Sequence, residues 1–140
     1  MASLRLIGLV VHLFGMTLWV AYLFANVQTL AAFAKSKDAP RREGMLELTQ
    51  ANLVSMDVGL TLTLIGAALL LGANVRFYLT QGWLHAKLVV VALLVYVHVF
   101  LRLRYKRAKR GEEITMPQWV SVGLRLALLA ILILVLMKPF

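Results

Sequence analysis

Long apolar stretches, parted by short charged ones, set the pattern of this chain. No charge falls between Arg5 and Lys35, which leaves a first apolar stretch over about residues 6–33. A second, about 48–75, is broken only by Asp57. A third, about 83–101, holds Lys87, and a fourth, about 119–137, holds Arg125. A hydrocarbon core needs about 20 apolar residues, because an α-helix rises about 1.5 Å per residue. All four stretches meet that length. Their apolar character is continuous, whereas a membrane strand alternates over about ten residues. The pattern predicts an all-α, integral-membrane four-helix bundle that uses residues 1–140 as one domain, with no internal repeat or linker. The first stretch is too long for a signal-peptide core and has no small-x-small cleavage site before the charged loop, so it is expected to be a retained span.

Composition strengthens that reading. Of the 140 residues 61% are hydrophobic, and the mean hydropathy is +0.84. The net charge of +9 would suit nucleic acid if it covered a hydrated face. Instead the basic residues gather in two places. Lys35, Lys37, Arg41 and Arg42 lie between spans one and two, and Arg102, Arg104, Lys106, Arg107, Lys109 and Arg110 follow span three. Only Arg5, Arg76 and Lys138 fall on the opposite side. The positive-inside rule then puts both basic loops in the cytoplasm and both termini on the non-cytoplasmic side. Nucleic acid is not an expected partner; the lipid bilayer is. The absence of cysteine excludes disulfides, thiolate zinc sites and cysteine nucleophiles. Pro117 suits the first turn of the last helix, Trp83 and Trp119 suit span ends at the interface, and Gly72, Asn74 and Gly82 bracket a short outer loop.

Ionisable groups inside apolar spans are costly and turn towards a bundle interior or a wet cavity. Here they are His12, Asp57, Lys87, His98 and Arg125, with His85 at a boundary. On the first helix Arg5, His12, Trp19 and Asn26 recur every seven residues and share a face that should meet the other helices. On the second, Asn52, Ser55, Gly59, Thr63 and Gly66 form a small-residue face suited to close packing. On the third, Lys87 and His98 share a face roughly 16 Å apart, and His85 points about 200° away from Lys87. By depth, His12, His85 and Lys87 belong to the outer half, and Asp57, His98 and Arg125 to the inner half. Asp57 and Arg125 are a candidate ion pair. Lys87 calls for a carboxylate, a carbonyl cluster or a ligand anion, unless it reaches water. The histidines suit three tasks: haem-iron ligation, proton relay or structural hydrogen bonding. As axial ligands of one haem, His12 and His85 match better in depth than His12 and His98.

The segment Gly82-Trp83-Leu84-His85-Ala86-Lys87 and the apolar run on to His98 resemble the HemJ-type protoporphyrinogen IX oxidases, small four-helix membrane proteins. The resemblance extends to His12 with Trp19 seven residues on, and to Lys138-Pro139-Phe140. It implies a bacterial inner-membrane oxidoreductase of haem synthesis that passes electrons to a membrane acceptor such as a quinone. It further implies His12 and Lys87 as catalytic residues, bound haem b, His12 and His85 as candidate iron ligands, and His98 and Arg125 as further cofactor-binding positions. Lys87 or Arg125 would pair with a tetrapyrrole propionate. The chain departs from the family where Asn26-Val27-Gln28-Thr29 replaces a Leu-Pro-Arg segment and Phe33 replaces a histidine. It departs again where Asp57 stands near an expected proline, and where Val122-Gly123-Leu124, followed by Arg125, replaces Glu-Val-Pro. The alternative is a non-enzymatic accessory subunit packed against a larger membrane redox or photosynthetic complex. Either reading allows a homo-oligomer.

Overall fold

The computed structural model describes residues 2–72 and 75–136. Asn74 of the outer loop, the end of the fourth span at Met137, and Lys138-Pro139-Phe140 lie outside the described residues. The described chain is all-α: α1 (Ala2–Lys35), α2 (Ala39–Gly72), a short α3 (Val75–Leu79), α4 (Gly82–Lys109) and α5 (Gln118–Leu136). The stretches Ser3–Lys35, Ala39–Gly72 and Gly82–Lys109 are long and apolar enough to cross a membrane, as expected of a multi-pass membrane protein. The apolar α5 has 19 residues, about 28 Å at the helical rise. The short connection between α2 and α4 holds the single turn of α3.

Two helices outrun the apolar stretches that suggested them. α2 starts at Ala39, well before residue 48, and α4 continues to Lys109 through most of the basic run expected as a loop. Lysine and arginine are good helix formers. The extension is also anchored, because Tyr105 and Ala108 are buried on its inner face. Gly111, at φ 80, ends it in the left-handed region. There the N–H of Gly111 donates to the Ala108 carbonyl at 3.0 Å, and that of Glu112 to the Arg107 carbonyl at 3.1 Å. Both bonds together make a Schellman stop.

α1 and α2 form an antiparallel hairpin held by glycines. A Cβ on Gly15 would lie 2.4 Å from the Thr63 nitrogen, one on Gly59 2.5 Å from the Trp19 nitrogen, and one on Gly66 2.4 Å from the His12 nitrogen. From His12 to Trp19 is a step of seven residues, and so is the step from Gly66 back to Gly59, so the register is constant. Carried one step further, it sets Asn26 level with Asn52. Lipid tails are as apolar as leucine, so helices in a bilayer associate through such backbone approach rather than hydrophobic burial. The small-residue face read from the sequence is this contact. At the turn, the Arg42 guanidinium lies 4.3 Å from the Phe33 ring centroid.

α4 and α5 complete the bundle unevenly. The buried residues of α4 are Leu94, Val97, His98, Leu101, Tyr105 and Ala108, and residues 82–93 contribute none. α5 buries Val120, Leu124, Ala127 and Ile131, a helical stripe. Trp119 stacks on Tyr96 at 6.4 Å and tilts against Phe100 at 5.9 Å, joining α5 to α4. The end of the bundle that holds both basic stretches is called the basic end below, and the opposite end the far end.

Candidate functional site

Polar side chains from three helices meet in the basic half of the bundle. His98 is 5% exposed and Trp19 1%. The Trp19 indole donates from Nε1 to His98 Nδ1 at 3.1 Å. An indole N–H can only donate, so Nδ1 accepts and the imidazole proton sits on Nε2. That nitrogen faces Asp57 Oδ1 at 3.1 Å. Arg102, one turn beyond His98, donates from Nε to the same oxygen at 3.2 Å and from its terminal nitrogen to Oδ2. The carboxylate of α2 is therefore gripped by two α4 side chains, one of which is held by α1. Further towards the basic end, Tyr105 Oη donates to Gln50 Oε1 at 2.9 Å. A groove of about 200 Å³ opens there, with Gln50, Arg102, Tyr105, Lys106 and Lys109 in its lining. Asn26, fully buried, donates to the Met56 sulfur at 3.6 Å. Its Oδ1 has no partner among the described residues.

This arrangement corrects the Asp57–Arg125 pairing. Asp57 is held by Arg102 and His98, whereas Arg125 lines a separate cavity between α1 and α5. The sequence reading missed Arg102 because it was grouped with the residues that orient the chain in the membrane. The signal was its spacing: four residues after His98, it shares that histidine's face.

His12 and His85 sit in the far half, each fixed through Nδ1 by a backbone oxygen. His12, half-buried, faces the Thr63 carbonyl at 2.9 Å. His85, exposed, faces the carbonyl of Gln81 on its own helix at 3.0 Å. A carbonyl can only accept, so each ring donates from Nδ1, which in a neutral ring leaves Nε2 as the acceptor. That tautomer suits a proton acceptor or a metal ligand. His98 differs, with both ring nitrogens committed to protein partners. Lys87 lies 4.7 Å from the Trp83 ring centroid.

The Trp19–His98 bond fixes the relative level of α1 and α4, which run parallel because α2 returns between them. His12 lies seven residues towards the far end from Trp19, and His85 thirteen from His98. The two histidines are therefore offset by about 9 Å along the bundle, nearly as much as His12 and His98. The difference in depth between the His12–His85 and His12–His98 pairs is therefore small. No group of three His, Cys, Asp or Glu capable of holding a metal occurs among the described residues. Lys87, eleven residues before His98, lies only about 6 Å from the level of His12.

No model of a protein family matches the chain, and no solved structure matches it. It is 25% identical over 134 residues to proteins named protoporphyrinogen IX oxidase in two strains of Helicobacter pylori, covering 92% of this chain and 90% of theirs. It is 27% identical over 114 residues to a protein of the same name in Synechocystis, covering 77% of this chain and 52% of that one. These similarities support a distant relationship to proteins of that name.

Proposed function

We propose that the chain is a HemJ-type enzyme that oxidises protoporphyrinogen IX to protoporphyrin IX within a bacterial inner membrane. The observation that carries this reading is the near end-to-end similarity to proteins named for the reaction. The substrate gives up six electrons and six protons, and three quinone-class acceptor molecules each take two of both to become quinols. Such chemistry asks the protein for orientation, proton acceptors and a site closed to water.

The assignments to this chain's residues follow their geometry. His12 accepts substrate protons at Nε2, and its Nδ1–H on the Thr63 carbonyl fixes both tautomer and ring. Lys87, close to that level on α4, takes a substrate carboxylate. The stretch 82–93 has no fully buried residue, and its exposed positions offer a face of α4 to a flat macrocycle. His98, Asp57, Arg102 and Trp19 are positioning residues, since their bonds set the level of α4 on the hairpin. No step is routed through haem.

Rescue of a bacterium lacking its protoporphyrinogen oxidase tests the proposal. Growth without added haem is expected from the wild-type chain, and none from His12→Ala at equal membrane abundance. Failure of the wild-type chain, fully expressed and folded, would refute the enzyme.

A further inference from the structure

Arg125 is the ionisable group that the network leaves aside. It lies seven residues into the apolar α5, about 10 Å beyond Gln118, and it is exposed. None of the described residues bonds to it. A guanidinium at that depth on an outer face is stabilised by an anion, by backbone carbonyls or by reaching the interface. It lines a cavity of about 460 Å³ between the last turns of α1, the α4–α5 loop and the start of α5. A second cation, Lys35, lines the same cavity and also lacks a partner among the described residues. Gln28 and Ser121 add polar groups, while Ala31 and Met116 supply apolar surface.

We infer that this cavity binds the phosphate headgroup of an acidic phospholipid. Three features favour a lipid. The cavity lies at the basic end, where the apolar helices meet charged segments, which is the level of a headgroup. Its mouth is set by exposed residues of α1 and α5, among them Gln28, Lys35 and Arg125, so in a bilayer it faces lipid. It also lies behind the network: Gln28 is nine residues from Trp19 and so projects from the opposite side of α1. Basic pockets between membrane helices are recognised sites for acidic headgroups. Arg125 and Lys35 approach the phosphate from the two helices, Gln28 and Ser121 serve its oxygens, and an acyl chain runs along the apolar surface. The bound lipid would bridge α1 and α5, which the described polar bonds leave unlinked.

The test is thermal unfolding of the purified full chain with added phosphatidylglycerol, against phosphatidylcholine of the same acyl composition. Phosphatidylglycerol is expected to raise Tm, by linkage, and to bind about fivefold more weakly for each cation removed in Arg125→Gln or Lys35→Gln. Arg125→Lys should restore most of the preference, and Arg76→Gln, which alters a cation at the far end, should leave it unchanged. If Arg125→Gln does not fold, Lys35→Gln carries the test. An acidic-lipid preference that survives both substitutions would overturn the inference. So would protoporphyrin IX, titrated in parallel, proving to be the anion whose binding depends on Arg125 while phosphatidylglycerol binding does not.

Discussion

In its basic half α4 is tied to both partners by specific bonds: His98 to Trp19 of α1, Arg102 and His98 to Asp57 of α2, and Tyr105 to Gln50. In its far half, from Gly82 to Leu93, no residue is fully buried, and Val90 and Val91 pack only partly against the core. Yet the far half carries His85 and Lys87, the α4 residues that the sequence marked most strongly. The contrast teaches a division of labour. In the basic half, ionisable side chains bond across helices and set geometry; in the far half, His85 bonds within its own helix and Lys87 lies over the Trp83 ring. The α1–α2 hairpin serves both halves, since glycine contacts run through it from His12 to Trp19.

Breaking the hairpin should have the largest effect. Gly59→Leu drives a side chain into the Trp19 backbone, 2.5 Å from where the new Cβ falls, and is expected to cost about 3 kcal/mol or more. Gly123→Leu, with nothing within 4 Å, should stay within about 0.5 kcal/mol of wild type. Denaturant titration in detergent, followed by circular dichroism, compares the two. Near-equal losses would show that the hairpin is not the scaffold.

Next comes the network. Asp57→Ala leaves His98 Nε2–H and the Arg102 guanidinium without their acceptor, at an expected cost of about 2 kcal/mol. Asp57→Asn, which keeps an oxygen, should cost less. Trp19→Phe keeps the ring but removes the donor to His98, and should cost about 1 kcal/mol. His85→Ala sharpens the contrast from the other side. As an exposed residue bonded within its own helix, it should change stability by less than about 0.5 kcal/mol. A destabilisation by His85→Ala equal to that of Asp57→Ala would erase the distinction between the halves.

The smallest effect belongs to the loop after α4. Glu112 receives hydrogen bonds from Arg107 at 2.7 Å and Arg110 at 3.0 Å. The Arg107 bond, with the charges of Arg110 and Arg107 and the Arg110 bond, outweighs an opposing desolvation and holds its carboxyl below the usual range. A depressed carboxylate stabilises the fold above its unfolded pKa of about 4.3, and that contribution fades as pH falls through the lower folded value. Tm measured against pH for wild type and Glu112→Gln should therefore differ slightly near neutrality and converge in acid. A gap that widens in acid would reverse the sign.

Much of this architecture was legible in the residues. The seven-residue spacing of His12, Trp19 and Asn26 and the small face of Gly59, Thr63 and Gly66 mark the two helix faces that meet in the hairpin. Helix ends were less legible, because apolar content marks membrane thickness rather than helix length; α2 and α4 continue as helix beyond it. The Asp57 partner was obscured for a related reason. Arg102 opens the basic run, and only the level at which α4 packs shows that its guanidinium turns inward. Depth read from span boundaries put His12 and His85 together, and the level set by the Trp19–His98 bond offsets them by about 9 Å.

The most direct test is porphyrin fluorescence from isolated membranes supplied with protoporphyrinogen IX and a quinone. Membranes with the wild-type chain should form protoporphyrin IX well above the spontaneous rate. His12→Gln, folded and equally abundant, should fall to that background, and His85→Ala should retain most of the activity. Wild-type membranes that form porphyrin no faster than membranes without the chain would contradict the proposed function. Full activity in His12→Gln would instead remove His12 from the chemistry.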